Sequence, residues 1–280
     1  MTSGRTAFVL GGGGVLGAVE VGMLQALMEL GVRPDLVVGT SVGALNGALV
    51  AHDPRPEVVV ELRAMWQMAF SEGRVYRDGP VRQLRRAART GTHLHSSEGL
   101  RRALQRALGD ARFEDLPVHF ECCAASIERA AEHWFTSGPV VEAVVASAAV
   151  PGLLPPAEVD GEHFLDGGIV NSIPVGHAAA LGAERLFVLQ VGRIDRPLQV
   201  PKRPWEVARV SFEIARRHRF AREMAALPTG VRAYVLPTGG GSKRDDSILA
   251  YRDFAGVADR IEQARVASLD YLRARLPDPQ

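Results

Sequence analysis

The chain has 280 residues, 46% of them hydrophobic, with a formal net charge of +1, enough apolar material for one sizeable core within one or two domains. The near-neutral balance gives no case for nucleic acid as a partner. No apolar run reaches the ~18–20 residues of a membrane span, and the short run after Arg5 breaks into glycines too soon for a signal peptide. Cys122 and Cys123 are adjacent in a strand-like stretch, a poor arrangement for a mutual bridge, so reduced thiols in a cytoplasmic protein are expected.

In chain order, the partly branched apolar run Thr6 to Leu10 predicts a buried strand, four glycines end it, and apolar residues then recur at helical spacing from Val15 to Leu30. A short strand over Leu36 to Val38 leads into Gly39-Thr40-Ser41-Val42-Gly43 and a second helix reaching about His52. Asp53-Pro54-Arg55-Pro56 breaks the chain. Residues 57–110 read as helical, interrupted at Gly73, Asp78-Gly79-Pro80 and Gly91. Strands are predicted at Val118 to Ser126 and His133 to Thr136, a helix from Pro139 to Ala149, a hairpin from Glu158 to Leu165 and a helix from Ile173 to Leu181. A strand (Arg185 to Val191), a helix (Trp205 to Leu227), a strand (Val231 to Leu236) and a closing helix (Asp253 to Leu276) complete the pattern. Alternation of this kind, without internal repeat or separating linker, predicts an α/β protein whose mostly parallel sheet is covered by helices.

Two glycine-rich turns follow the first two strands. The first holds converging backbone N–H groups at a helix start and suits negative charge. Gly12-x-Gly14-x-x-Gly17 also fits a dinucleotide fingerprint, but that reading needs an acid at the end of the second strand. Glycine stands there instead, and no Gly-Lys-Ser/Thr follows for a phosphate loop. An oxyanion-binding loop remains, with Gly13 and Gly14 the expected donors. The second turn, Gly39-x-Ser41-x-Gly43, places a serine between strand and helix, where its hydroxyl is exposed and the helix dipole favours an alkoxide. Its bland reading is a glycine turn with Ser41 as N-cap.

A serine nucleophile needs a base, and none of the eight histidines lies in a motif that marks one. The best-marked acid is Asp166, in Phe164-Leu165-Asp166-Gly167-Gly168-Ile169. Asp-Gly between apolar residues is also a hairpin signal, but Asp160-Gly161 already supplies a turn for the stretch Glu158 to Leu165. A carboxylate is a weak base unless desolvated and within hydrogen-bond reach of Ser41. A Ser-His-Asp triad using His177 or His218, and a non-catalytic or nucleotide-binding protein that kept the loop, remain as alternatives.

Taken together, Gly12 to Gly17, Gly39 to Gly43 and Asp166 to Gly168, in this order and spacing, resemble the patatin-like phospholipase family. The stretches Ala146 to Gly152, Pro155-Pro156 and Gly168 to Val175 resemble it as well. The resemblance covers roughly residues 5–192, leaving 193–280 as helices and a strand that complete the same domain. It implies a three-layer α/β/α fold, with Ser41 as nucleophile, Asp166 as general base and a backbone oxyanion hole. It also implies hydrolysis of fatty acyl esters without metal or cofactor. One departure is Leu16, where family members often carry Arg or Lys.

The remaining signals concern surfaces. Residues 74–112 hold ten arginines against three acids, and 202–222 add seven basic residues against two. The ordinary reading is solvated helix faces; the sharper one is peripheral contact with anionic lipid headgroups, at about 1 kcal/mol per cation. Val58 to Phe70 is apolar on more than one helical face and reads as core, or else as the lining of an acyl channel or a lid.

Overall fold

Five strands form the parallel centre of the fold: β1 (Thr6–Leu10), β2 (Leu36–Thr40), β3 (His119–Ser126), β7 (Arg185–Leu189) and β8 (Arg232–Val235). The computed structural model describes residues 4–71, 93–192, 194, 197–239 and 256–276. Among these, β3, β2, β1, β7 and β8 lie side by side in that order, all parallel. Strands β4 (Ala131–Phe135), β5 (Ala157–Val159) and β6 (Glu162–Asp166) add antiparallel pairings at the β3 end.

The central strands read as unbroken apolar runs because both faces are covered. Side chains alternate across a strand. Phe8, Leu10, Val37, Phe120, Phe187 and Leu189 therefore enter the larger core. Five helices and the closing one cover that face: α1 (Ala18–Glu29), α2 (Val42–His52), α3 (Val58–Ser71), α4 (Glu98–Leu108), α5 (Val140–Ser147) and α8 (Val257–Arg273). Ala7, Val9, Leu36, Val38, Leu186 and Val188 face the other way, against α6 (Val175–Ala180) and Phe220 of α7 (Pro204–Ala225). The result is the expected three-layer arrangement of helices, sheet and helices.

Registers around β3 decide what meets what. Residues Cys122 to Ser126 pair with β4 along one edge, so β2 and β6 share the opposite edge. Thr40, the last residue of β2, pairs with Cys123, and Asp166, the last of β6, pairs with Ala124. The two strands thus run toward each other along one edge of β3 and end one residue apart. That meeting point is fixed by backbone pairing before any side chain is considered.

Element boundaries differ from the sequence reading mainly at ends. β2 runs on to Thr40 because Gly39 and Thr40 still pair with Cys122 and Cys123. The first helical stretch opens with a 3-10 turn over Gly14–Gly17 before α1 begins at Ala18. Asp160 and Gly161 both have positive φ, 50° and 79°, as the two central residues of a tight hairpin turn require. The hairpin is therefore closed there, and Asp166 is free of that duty. The interruptions expected at Gly73, Asp78-Gly79-Pro80 and Gly91 lie outside the described residues.

Candidate active site

Ser41 joins β2 to α2 in a conformation few side chains adopt, φ 56° and ψ −122°. Such a backbone costs on the order of 1–3 kcal/mol and persists only where its surroundings impose it. The flanking glycines show what imposes it. A Cβ on Gly39 would stand 2.5 Å from the Gly43 carbonyl oxygen, and one on Gly43 would stand 2.3 Å from that of Leu10. Strand and helix therefore approach too closely for any side chain at either position, and the chain turns sharply enough to lift Ser41 out of the sheet.

Two hydroxyls fasten the turn. Ser41 N–H donates to Ser147 Oγ at 2.8 Å, and Ser147 Oγ donates to the Cys123 carbonyl at 2.6 Å. Thr40 Oγ1 donates to the Asn171 carbonyl at 2.8 Å. Ser41 Oγ itself donates to Asp166 Oδ2 at 2.5 Å. The other carboxylate oxygen, Oδ1, accepts the Gly168 N–H at 2.7 Å, which fixes the carboxylate plane. Gly167 is required for that approach, since a Cβ there would lie 2.1 Å from the Cys123 carbonyl oxygen.

Ser41 and Asp166 are both buried. Burial pushes the Asp166 carboxyl up from 3.8 to about 6, with the bonds from Ser41 and the Gly168 N–H pulling partly back. At neutral pH it is thus an ionised carboxylate with raised proton affinity, hydrogen-bonded to a hydroxyl.

The first glycine loop lies against this pair. A Cβ on Gly12 would come within 3.4 Å of Ser41 Cβ and 3.2 Å of Ser172 Oγ. Gly11 and Gly12 N–H are engaged by the carbonyls of Leu189 and Ser172, both at 2.8 Å, whereas those of Gly13 and Gly14 meet no acceptor among the described residues. Gly13 is packed against Val191, and Gly14 has φ 58° in open space. Gly17 closes the loop against Val42, the residue after Ser41. Leu16, which stands where a cation was expected, is half-buried and packs on the larger core.

The histidine alternatives fall elsewhere. His177 bonds Glu121 at 2.6 Å and stacks on Trp134, and His218 is exposed on α7. Burial raises the Glu121 carboxyl, but bonds from His177 and His119 outweigh it and hold the group below its ordinary value. Among the basic residues of the two arginine-rich runs, Arg101, Arg112, Arg217 and Arg219 face carboxylates, as ordinary solvated surfaces do, whereas Arg216, paired with Glu213, is buried. Arg74, Arg77, Arg82, Arg85, Arg86 and Arg89 lie outside the described residues. Cys122 and Cys123 are free, buried thiols, which burial makes harder to ionise.

The sequence marks Ser147 and Ser172 only as parts of family-like stretches and Arg216 only as part of a basic run, not by what they hold. Ser147 is the one hydroxyl in the otherwise apolar α5 apart from Glu142's polar position, a faint signal. Arg216 falls four residues before Phe220, whose ring is buried, so helical spacing puts the two on one side of α7.

A family model described as patatin-like phospholipase matches residues 8–179. Lysophospholipase nte1 of Aspergillus terreus and that of Emericella nidulans are each 35% identical over 187 residues, covering 67% of this chain. The chain spans 12% of the length of those two relatives. Among solved structures, VipD from Legionella pneumophila aligns over 97% of this chain and 67% of its own, with 14% identity and a TM-score of 0.49.

Proposed function

The chain belongs to the patatin-like phospholipase family, and from that premise we propose that it is a serine hydrolase of lipid acyl esters. Ser41 is the nucleophile, Asp166 the general base, and Gly13 and Gly14 the oxyanion donors. The observation that carries this reading is the 2.5 Å bond from Ser41 Oγ to a buried Asp166 carboxylate. That contact supplies reach and proton affinity together, as a carboxylate base requires.

The reaction runs in two halves. Ser41 Oγ attacks the ester carbonyl carbon as its proton passes to Asp166 Oδ2, and the carbonyl oxygen becomes an oxyanion before the Gly13 and Gly14 N–H groups. Losing one such donor typically costs about 3 kcal/mol of transition-state stabilisation. Collapse breaks the bond to the alcohol oxygen, which leaves with the proton from Asp166 and leaves an acyl-Ser41. Water then attacks the acyl carbon, again giving its proton to Asp166. Release of the fatty acid returns that proton to Ser41 Oγ.

Two exposed apolar side chains beside the Asp166 motif support a lipid substrate. Phe212, 44% exposed, lies 3.2 Å from where a Cβ on Gly168 would stand, and Ile169 beside it is 43% exposed. The test is hydrolysis of p-nitrophenyl acyl esters and of lysophosphatidylcholine by wild type, Ser41→Ala and Asp166→Asn. Both variants lose activity by at least about 10³-fold on this account; equal turnover by all three proteins overturns it. His177→Ala retains turnover, and its inactivation would restore the triad.

A cytoplasmic location and peripheral contact with anionic membranes belong to the same proposal. No helix among the described residues is long and apolar enough to cross a membrane. The two thiols and the exposed arginines of α4 support the finer placement. Cell fractionation tests the first; liposome binding that fails to rise with anionic lipid content overturns the second.

A further inference from the structure

Among the described residues, Arg216 is the one lysine or arginine that is buried. It comes from α7, beyond the matched residues 8–179. Its guanidinium spans three acceptors. Nη2 donates to the Val191 carbonyl at 2.7 Å, Nε to Ser172 Oγ at 3.2 Å and Nη1 to Glu213 Oε1 at 2.9 Å.

Two of those acceptors belong to the residues that hold the glycine loop. The Ser172 carbonyl receives the Gly12 N–H, and Val191 packs against Gly13, where even a Cβ would meet its Cγ2 at 1.6 Å. Ser172 Oγ itself borders Gly12, whose other neighbour is Ser41 Cβ. One guanidinium therefore ties together the chain segments on both sides of the loop that carries the unengaged Gly13 and Gly14 N–H groups.

Glu213 Oε1 accepts from both Arg216 and Arg217, each at 2.9 Å. No basic side chain stands within Gly11 to Gly17. Arg216 thus holds a guanidinium beside a loop whose own residues supply no cation.

We propose that Arg216 is a positioning residue for the oxyanion site: through Ser172 and Val191 it sets Gly12 to Gly14, and its charge favours the negative oxygen formed there. The inference rests on the hydrolase reading above. Preorganised donors act on charge that exists in the transition state, so loss of their alignment lowers turnover more than substrate binding.

The experiment uses the full chain and p-nitrophenyl butyrate, with wild type, Arg216→Ala, Arg216→Lys and Ser172→Ala. Turnover (kcat), KM, the pH profile and Tm are read for each. For Arg216→Ala, kcat falls about 10²-fold with KM within about twofold. The acid limb of its profile stays in place, because Arg216 is not among the groups that shift Asp166. Added millimolar guanidinium restores part of the lost turnover. Arg216→Lys keeps a charge but not the fork, and loses about tenfold.

Unchanged kcat in Arg216→Ala overturns the proposal, and so does a loss confined to KM. A loss accompanied by a lower Tm and not relieved by guanidinium also overturns it, by reducing Arg216 to a structural part. If Arg216→Ala does not fold, Ser172→Ala decides. That variant removes only the Nε acceptor, and a several-fold fall in kcat at unchanged Tm supports the proposal while no fall overturns it. Absence of Ser41-dependent turnover in wild type would instead overturn the hydrolase reading itself.

Discussion

Asp166→Asn makes the protein more stable at neutral and alkaline pH while abolishing its activity. Folding buries the Asp166 carboxyl and moves it from 3.8 to about 6. Between those values the unfolded chain has released this proton and the folded chain still holds it. Stability on account of this group therefore falls as pH rises through that window. The distance between the two values, at ~1.4 kcal/mol per pH unit, is about 3 kcal/mol, present in full only below pH ~4 and lost above pH ~6. Asparagine carries no charge at any pH and can still accept the Gly168 N–H through its amide oxygen. Urea unfolding of both proteins from pH 4 to pH 8 gives the difference directly. Asp166→Asn gains on wild type by up to about 3 kcal/mol across the range, with most of the change between pH 4 and 6. A difference that does not vary with pH would show that burial does not raise the Asp166 carboxyl, as would a variant less stable than wild type at pH 8.

Three further outcomes follow from the site. The rate constant kcat/KM for ester hydrolysis falls about tenfold per pH unit below the Asp166 value of about 6, because the base must be ionised; a limb centred near pH 4 would mean an ordinary exposed carboxylate. Ser41→Gly is more stable than Ser41→Ala by about 1–3 kcal/mol, since glycine adopts φ 56° and ψ −122° without strain and alanine does not; equal denaturation midpoints contradict this. Ser147→Ala leaves the Ser41 N–H without its acceptor in a buried turn and costs about 1–3 kcal/mol. Its turnover falls with its stability, and a variant unaltered in both would show that the turn is held without that bond.

Much of the fold is legible from the sequence because its signals are backbone signals. The strand-glycine-helix rhythm at Thr6 to Leu30 and again at Leu36 to His52 requires consecutive parallel strands with tight turns. The turn at Asp160-Gly161 shows in its dipeptide, and assigning the hairpin there leaves Asp166 available for other work. The pairing of Ser41 with Asp166 is a different matter. It depends on β2 and β6 meeting on one edge of β3, 125 residues apart in sequence, which no local pattern encodes. The roles of Ser147, Ser172 and Arg216 are not legible in the sequence for a related reason. Each acts through a bond to a backbone group of a distant segment, and neither spacing nor composition marks such a bond. Arg216 left one trace, its place four residues before Phe220 on α7.

On the proposed mechanism, Ser41, activated by Asp166, forms a covalent acyl intermediate. The direct measurement is mass spectrometry of the protein after reaction with a long-chain alkyl fluorophosphonate, which leaves a stable adduct on an activated serine. One adduct is expected, on the peptide that carries Ser41, absent from Ser41→Ala and slowed by orders of magnitude in Asp166→Asn. An adduct on another residue, or labelling of Asp166→Asn at the wild-type rate, would contradict the mechanism.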